Sequence, residues 1–423
     1  MTFYVEARLP KANIRGTRDA LGIARFNAIP YAAPPIGQLR FQPPLPVTCE
    51  GPVDATGPGT LAPQLRSRLN AATGDMAGEQ SEDCLHLTIW TPAADSERRP
   101  VVLWIHGGAW QSGAGAVPWH DGARLAKEGD VVVVAINYRL AALGWLCLPG
   151  MTANLGLLDQ ETAIDWVIEH IEHFGGNPHQ LTVMGQSAGA SCIAALHLRC
   201  PRFQRIILQS GVLGRSFRSL EQAHELGQKF LEATGASTIE ALSALPVETL
   251  LNAQRAPSIV QALHQPQWGG RLFTLVADGV VLPREANARA SQLPGYSDVL
   301  VGYTKDEMSA FPDYGLDARS VAEGESRFGA PARQWADQAH AAERRSWLYR
   351  IDYGPNPQFG ACHCIDLPLV FGTLSAFESA PMLSGQNREH TEMLSAQIRA
   401  AWLRFIRGES PGWEAAPAMQ FFN

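Results

Sequence analysis

The feature that most constrains the fold is a β-branched run that leads into a serine flanked by small residues, TVMGQSAGAS at positions 182–191. Gly185 and Gly189 lie two positions before and two positions after Ser187. A sharp turn from a strand into a helix holds the serine in a strained backbone conformation, in which larger neighbours would clash. The pattern Gly-x-Ser-x-Gly is therefore typical of a nucleophile elbow, although a chance Gly- and Ser-rich turn would also produce it.

The flanking sequence favours the elbow over the chance turn. Residues 159–174 carry apolar side chains at helical spacing, and this helix is predicted to end at Gly175-Gly176. The strand with the elbow begins directly afterwards. The segment ASCIAALHL, which follows Ser187, is small and apolar and is predicted to form a helix packed closely on a sheet. Strand, Gly-x-Ser-x-Gly and helix are the order that the motif requires.

Several short apolar runs do not alternate with polar residues, as is typical of strands buried on both faces. They are residues 86–90, 101–106, 131–137, 181–185, 205–209, 298–302 and 347–352. Helical patterns lie between them, which predicts an α/β fold with a central, mostly parallel, twisted sheet and helices on both faces. No linker or repeat divides the chain. We expect one domain over 1–423, with a reduced helical cap inserted at about 216–290.

Composition excludes several classes of function. The chain has 423 residues, 46% hydrophobic and 18% charged, with a net charge of −7, so it has no basic footprint for nucleic acid or an anionic membrane. It has no run of 18 apolar residues for a membrane span, and no signal peptide is read, which predicts a cytoplasmic protein. Seven cysteines argue against a disulfide framework. Cys362 and Cys364 flank a histidine, but no second ligand pair exists, so neither metal nor cofactor is expected.

A serine hydroxyl needs N–H donors for the developing oxyanion and a base to accept its proton. Residues 105–110, Ile-His-Gly-Gly-Ala-Trp, follow a predicted strand, and the glycine pair allows backbone N–H groups to point into a cleft. A tight turn around a buried histidine is the alternative. We assign the oxyanion hole to the N–H groups of Gly108, Ala109 and Ala188.

The base and the acid are expected after Ser187. Of the later histidines, His363 follows a Gly-containing loop after a strand, from which a side chain can reach across the top of the sheet. His197, His340 and His390 lie in predicted helices. For the acid, Glu307 follows the strand DVLVG, and its neighbour Asp306 is the rival.

By these motifs the chain resembles the type-B carboxylesterases, the family of the cholinesterases and para-nitrobenzyl esterases with an α/β-hydrolase fold. The resemblance covers almost the whole chain. Its segments are IPYAAPPIGQLRFQPP (29–44), SEDCLHLTIWTP (81–92), WIHGGAW (104–110), INYRLAALGWL (136–146), GLLDQETAIDWVIEHIEHFGGNP (156–178), VMGQSAGAS (183–191), ILQSG (207–211), VGYTKDE (301–307) and GACHCIDLPLVFG (360–372).

The resemblance implies that Ser187 is the nucleophile, Glu307 the acid and His363 the base, which decides between Glu307 and Asp306. It also implies that Ser210 lies beside this triad, in its hydrogen-bond network. Gln186 stands where the family usually has Glu, so a neutral amide replaces a buried carboxylate.

Other departures bear on substrate and location. Met308 and Cys364 replace small residues beside the acid and the base. Ala62 stands where secreted relatives have the cysteine that pairs with the equivalent of Cys84, in line with a reduced cytoplasmic protein. Residues 65–80 lack the aromatic residue that binds choline, which argues against a choline ester.

The expected activity is hydrolysis of carboxylic esters through an acyl-enzyme. From Glu307 to His363 is 56 positions (363 − 307), an interval that looks shorter than in most relatives, which predicts an open cleft that admits bulky esters. Trp110, Trp119 and Phe311 are candidates for lining the substrate pocket, with plain core positions as the alternative. An amidase, carbamate hydrolase or transacylase would use the same triad, and a non-catalytic binding protein is a remote alternative. The partner is a small-molecule ester.

Overall fold

The computed structural model describes residues 3–199, 202–214 and 216–423, and the strands lie where the apolar runs predict them. All seven runs overlap a strand. The strands are β1 (Phe3–Arg8), β2 (Ala12–Arg18), β3 (Ala24–Pro30), β4 (Gly51–Asp54), β5 (His86–Thr91), β6 (Arg99–Ile105), β7 (Val132–Ile136), β8 (Gly176–Gln186), β9 (Arg205–Gln209), β10 (Arg218–Ser219), β11 (Val276–Ala277), β12 (Asp298–Thr304), β13 (Ser346–Ile351) and β14 (Met419–Phe422).

One sheet takes up nearly all of these strands, in the order β1-β2-β3-β5-β7-β6-β8-β9-β12-β13-β14, with β4 beside β2. The pairs from β1 to β7 along this order are antiparallel, whereas every pair from β7 to β14 is parallel. Strands β10 and β11 form a separate parallel pair. The prediction of a mostly parallel sheet in an α/β fold is confirmed.

Fourteen α-helices connect the strands within the described residues. They are α1 (Asn70–Thr73), α2 (Ala123–Gly129), α3 (Ala141–Trp145), α4 (Leu155–His170), α5 (Ala188–Arg199), α6 (Leu220–Thr234), α7 (Ile239–Ser243), α8 (Val247–Ala253), α9 (Pro257–Leu263), α10 (Ala286–Arg289), α11 (Ala318–Gly324), α12 (Ala330–Ala341), α13 (Asp366–Phe371) and α14 (Arg388–Ile406). A π-helical turn, Glu325–Gly329, joins α11 to α12. Among the described helices, none has both the length and the apolar character needed to cross a membrane.

Alternate residues of the central strands enter two different cores, which explains why the runs do not alternate in polarity. Val101 and Leu103 of β6 pack into one cluster with residues of α4 and α5, whereas Val102 and Trp104 pack into the other with residues of α2 and α14. Successive side chains of a strand point to opposite faces, so helices on both faces require apolar residues at every position.

The parallel half of the sheet determines where a site can form. Strands β6, β8, β12 and β13 run in the same direction, so the segments that follow their last residues emerge at one edge of the sheet. In open α/β sheets, ligands bind at this carboxyl edge. The segments predicted to carry the site, after residues 105, 186, 304 and 351, all leave the sheet there.

Candidate active site

Ser187 occupies a strained turn between β8 and α5. Its φ is 54°, in the left-handed region, and its N–H donates to the carbonyl of Gln209 on the neighbouring strand at 2.8 Å. A Cβ on Gly189 would lie 2.1 Å from the carbonyl oxygen of Ile105, and one on Gly185 would lie 2.8 Å from the carbonyl carbon of Gly189. Both glycines are therefore required by close backbone approach, and Ser187 remains partly exposed at the top of the sheet.

His363 and Glu307 form a hydrogen-bonded pair on two different loops. Nδ1 of His363 donates to Oε2 of Glu307, and both side chains are buried. The backbone N–H of Thr304 donates to the other carboxylate oxygen of Glu307 at 2.9 Å, which fixes the orientation of that group. With its proton on Nδ1, the neutral imidazole presents the lone pair of Nε2 on the opposite side of the ring.

Asp306, the rival of Glu307, has a different contact. Its carboxylate accepts a hydrogen bond from the N–H of Ala361 at 2.9 Å, and its own N–H donates to the carbonyl of Ala361 at 2.9 Å. Asp306 therefore joins the turn of Glu307 to the loop of His363, and Glu307 alone of the two contacts the imidazole.

Gln186 faces the imidazole from the serine side. Its Nε2 lies 3.1 Å from Nε2 of His363 and 3.4 Å from Sγ of Cys364, so the amide donates to the lone pair of the ring. The described residues include no hydrogen bond between Ser187 Oγ and His363. The amide thus occupies the acceptor that the serine hydroxyl would use.

The loop after β6 supplies unpaired N–H groups beside the serine. Gly108 and Ala109 have φ values of 111° and 55°, and a Cβ on Gly107 would lie 2.5 Å from Oε1 of Gln186. The N–H groups of Gly108, Ala109 and Ala188 make no hydrogen bond with any residue that the structure describes. All three residues line the same cleft as Ser187 and His363.

The cleft has an empty space of about 1320 Å³, including the part open to solvent. The three aromatic candidates, Trp110, Trp119 and Phe311, all line it. Trp110 is nevertheless almost fully buried and donates to Sγ of Cys192 at 3.3 Å, whereas Trp119 stacks on Phe377 at 4.8 Å between ring centroids. Two phenylalanines flank the imidazole, with ring centroids at 5.5 Å for Phe311 and 5.2 Å for Phe328.

Ser210 is buried next to the elbow, but its contacts are those of the backbone. Its N–H donates to the carbonyl of Gly302 at 2.8 Å, with φ at 46°. No hydrogen bond joins its hydroxyl to Ser187, Glu307 or His363 among the described residues. The expected place of Ser210 in the hydrogen-bond network of the triad is therefore not a direct contact in this structure.

A buried carboxylate near the triad was not selected from the sequence. Asp366 lies three positions after His363 and accepts a hydrogen bond from Nε2 of Gln209 at 2.6 Å, while its Oδ1 has no partner among the described residues. Burial raises the pKa of Asp366 to about 6, against the hydrogen bond from Gln209 and the charge of His363. The only signal in the sequence was its spacing from His363.

The two cysteines beside His363 are buried thiols. Burial raises the pKa of Cys362 and Cys364 well above the usual range for cysteine, and the charge of Glu307 acts on both in the same direction. Across the described residues, no group of three or more His, Cys, Asp or Glu side chains could hold a metal ion.

Comparison with known proteins matches a family model described as the carboxylesterase family to residues 4–327. The chain is 34% identical to a para-nitrobenzyl esterase of Bacillus subtilis, over 95% of this chain and 89% of that protein. It is 36% identical to a probable N-octanoylanthranilate hydrolase of Rhodococcus erythropolis, over 92% of this chain and 90% of that protein.

Solved structures agree with these relatives. A para-nitrobenzyl (PNB) esterase structure superimposes with a TM-score of 0.86 at 30% identity, covering 99% of this chain and 95% of the other. The Geobacillus stearothermophilus carboxylesterase superimposes with a TM-score of 0.82 at 31% identity, covering 98% and 93%.

Proposed function

This chain belongs to the carboxylesterase family and is a carboxylic-ester hydrolase, and from that premise we propose that Ser187, Glu307 and His363 are its catalytic triad. The observation that supports this assignment most is the His363–Glu307 hydrogen bond, since His363 lines the cleft that exposes Ser187. The substrate is a small-molecule ester, and the chemistry passes through an acyl-enzyme.

In the first step, Oγ of Ser187 attacks the ester carbonyl while Nε2 of His363 accepts its proton. Before this can happen, the amide of Gln186 has to release Nε2, and Sγ of Cys364 offers it a second acceptor. The carbonyl oxygen becomes negative and is held by the N–H groups of Gly108, Ala109 and Ala188, each contributing roughly 3 kcal/mol. The alcohol leaves with the proton from His363.

In the second step, His363 takes a proton from water, and the resulting hydroxide attacks the acyl-enzyme. The same N–H groups hold the second oxyanion, and the carboxylic acid leaves as the proton returns to Ser187. The carboxylate of Glu307 stabilises the transient imidazolium through its hydrogen bond with Nδ1. Ser210 and Gln186 lie outside the reacting atoms, where Gln186 contacts the imidazole directly and Ser210 makes no hydrogen bond to the three residues among those that the structure describes.

The substrate range and setting follow from the same premise. Ser187 is partly exposed in a cleft that opens to solvent, which supports access for bulky esters, with Trp110, Trp119 and Phe311 in contact with the substrate. The catalytic domain spans 1–423, with its helical cap at about 216–290. Six buried, unpaired cysteines in the described residues support a reducing location such as the cytoplasm.

The test is hydrolysis of p-nitrophenyl esters from acetate to laurate by the wild type and by Ser187→Ala. Because the variant has no nucleophile, we expect its kcat to fall by roughly 10⁴-fold or more. The chain-length optimum of the wild type measures the size of the acyl pocket. Activity retained in folded Ser187→Ala would overturn the assignment.

Covalent labelling supplies the matched control. Diethyl p-nitrophenyl phosphate transfers its diethyl phosphoryl group to an activated serine and releases p-nitrophenolate. Ser191 is the control, since it lies one helical turn beyond Ser187. Its hydroxyl donates to the backbone carbonyl of Ser187 at 3.3 Å. Tandem mass spectrometry is expected to place the group on Ser187 alone, and a label on Ser191 would contradict the proposal.

A further inference from the structure

The wall of the cleft carries arginines that the mechanism does not use. Arg66, Arg68 and Arg327 line it, and Asp75 is the one carboxylate among the described lining residues. Asp75 is already engaged, because Arg66 donates to both of its oxygens at 2.6 Å. The lining therefore has a surplus of positive charge.

Arg68 has no counter-ion in contact. Its guanidinium carbon lies 5.2 Å from the centroid of the Phe311 ring, and it makes no hydrogen bond or ion pair with any residue that the structure describes. Asp313 acts on it from beyond ion-pair distance. Arg68 is exposed to the cleft, yet partial desolvation of its guanidinium by the surrounding wall and the neighbouring charge of Arg327 lower its pKa, against the effect of Asp313 and Tyr314. The guanidinium has its full set of donors free for a ligand.

Arg327 adds a second positive charge to the same wall. It forms an ion pair with Glu323 on the preceding helical turn, and its Nη2 lies 3.5 Å from the hydroxyl of Tyr314. These two contacts involve Nη2, so the other N–H groups of the Arg327 guanidinium can still donate to a ligand. A carboxylate held between two such guanidinium groups would gain charge-assisted hydrogen bonds.

Behind this wall, Arg271 has an unsatisfied guanidinium. Its Nε and Nη1 are buried with no partner among the described residues. Burial lowers the pKa of Arg271 to about 10, and the charges of Arg218, Arg327 and Arg68 add to the effect. Arg218 donates to the carbonyls of Leu272 and Arg271 at 2.7 and 2.6 Å. These neutral acceptors leave its positive charge unbalanced.

This cluster stands out against the whole chain, whose net charge is −7. General basicity does not explain why the charges of Arg68, Arg218 and Arg327 all act on Arg271, and repulsion of this kind costs stability unless an anion relieves it. Their segments are separate in the chain, since Arg68 precedes α1, Arg218 and Arg271 flank α6 to α9, and Arg327 lies in the π-helical turn.

We propose that the substrates of this esterase are anionic, carrying a carboxylate that Arg68 and Arg327 bind while the ester carbonyl reaches Ser187. This inference rests on the proposed function and adds the substrate class to it. Half-esters of dicarboxylic acids carry the carboxylate on the acyl side, and esters of carboxylate-bearing phenols or alcohols carry it on the leaving group. Phe311 contacts the apolar carbons between the two ends.

Two matched substrate pairs test the proposal. Mono-4-nitrophenyl suberate and 4-nitrophenyl octanoate differ by a carboxylate in place of the terminal methyl of the acyl chain. 4-Acetoxybenzoate and 4-acetoxybenzamide differ by a carboxylate in place of a neutral carboxamide on the leaving group. We expect kcat/KM of the wild type to favour the anionic member of at least one pair, and the favoured pair identifies the side that carries the charge.

Arg68→Met is compared with Arg319→Met as the matched control. Arg319 also has its guanidinium carbon 5.2 Å from an aromatic ring, that of Tyr314, but does not line the cleft. The ratio of kcat/KM for the anionic over the neutral ester is expected to fall roughly tenfold in Arg68→Met, mainly through KM, and to stay constant in Arg319→Met. Added salt is expected to lower the ratio in the wild type.

The outcomes separate the two proposals. Preference for the neutral member of both pairs, or an equal ratio in the two arginine variants, would overturn the anionic-substrate proposal while leaving the esterase assignment intact. Hydrolysis of octanoate that survives Ser187→Ala would instead overturn the assignment of the site. Because each ratio is measured within one protein, partial loss of folded Arg68→Met does not affect the comparison.

Discussion

At the residue scale, Gln186 determines how the resting site differs from the reacting one. Its amide donates to Nε2 of His363, the atom to which Ser187 would donate in the proposed mechanism before it attacks the ester. Hydrogen bonds of a catalytic site commonly tighten only when substrate is bound. A neutral amide can move to Sγ of Cys364 without leaving a charge behind, which a carboxylate in the same buried position could not do.

Replacing that amide by a carboxylate should change the pH dependence. In Gln186→Glu, a negative charge beside the imidazole would stabilise its protonated form, so we expect the acid limb of kcat/KM to move to higher pH. The measurement is a pH–rate profile with a p-nitrophenyl ester. Gln186→Met, similar in length and uncharged, is the control. The same shift in both variants would mean that charge is not the cause.

Asp366 gives a prediction for stability. The pKa of its carboxyl is raised from 3.8 to about 6 in the folded protein, so between these values the folded chain holds a proton that the unfolded chain has lost. The free energy of unfolding therefore falls as pH rises from about 4 to 6 and stays lower above it. Asp366→Asn removes this effect, and we expect it to stabilise the protein at pH 8 by on the order of 2–3 kcal/mol, with no gain at pH 4.

Urea unfolding at the two pH values measures this difference. Asp337→Asn changes an exposed carboxylate on α12 and serves as the control. An equal gain from both substitutions, or a gain in Asp366→Asn that does not depend on pH, would contradict the explanation by burial.

At the scale of elements, the central strands were predictable and the outer ones were not. Runs such as VVLWI and VVVVAI are apolar at every position because both faces of the sheet are covered. Strand β1 forms one edge of the sheet and is mostly exposed, and in β2, next to it, buried Ala12, Ile14 and Gly16 alternate with exposed Asn13 and Arg15. Their pairing depends on partners elsewhere in the chain, which local polarity does not encode.

The elbow provides a test of element packing. Gly189→Ala would favour helix α5 by up to about 1 kcal/mol on propensity, but its Cβ would lie 2.1 Å from the carbonyl oxygen of Ile105 in β6. The backbone of a central strand cannot easily move, so we expect a net loss of about 1–3 kcal/mol in stability and a large loss of kcat. Gly57→Ala, which meets no atom within 4 Å, is the control. Unchanged activity in Gly189→Ala would contradict the packing argument.

At the scale of the whole molecule, three buried histidines make the fold sensitive to acid. Burial lowers the pKa of His106 to about 3 and those of His120 and His197 to about 4. Between these values and 6.5, the unfolded chain binds protons that the folded chain does not, so the free energy of unfolding falls as the pH decreases. For Asp366 the free energy of unfolding falls as the pH rises, so the histidines act in the opposite direction, and three groups contribute to their effect instead of one.

We therefore expect the midpoint of thermal unfolding to decrease from about pH 7 to about pH 4.5. His197→Gln keeps a polar side chain next to Ser297 Oγ, which lies 3.0 Å from the ring, but cannot take up a proton, so its midpoint should depend less on pH. The exposed His264, changed in the same way, is the control. A midpoint that does not fall in acid would show that these histidines are not responsible.

The arrangement of the site was predictable in part. The elbow and the glycine loop are local patterns, and the order of serine, acid and base along the chain is a family pattern. The contacts of Gln186 with His363, of Asp306 with Ala361 and of Arg68 with Phe311 join elements that are distant in sequence. Such contacts depend on side-chain rotamers across an interface between loops. The spacing of residues along the sequence therefore does not predict them.

The hydrogen bonds between Asp306 and Ala361 have a consequence for how the proposed site changes when a substrate binds. Together with the bond between Glu307 and His363, they connect the two loops at backbone and side-chain level. The proposed base and acid, His363 and Glu307, thus belong to one preassembled unit. In the proposed mechanism, the adjustment that substrate binding has to bring about therefore lies on the serine side of the imidazole, where the amide of Gln186 gives way to Oγ of Ser187.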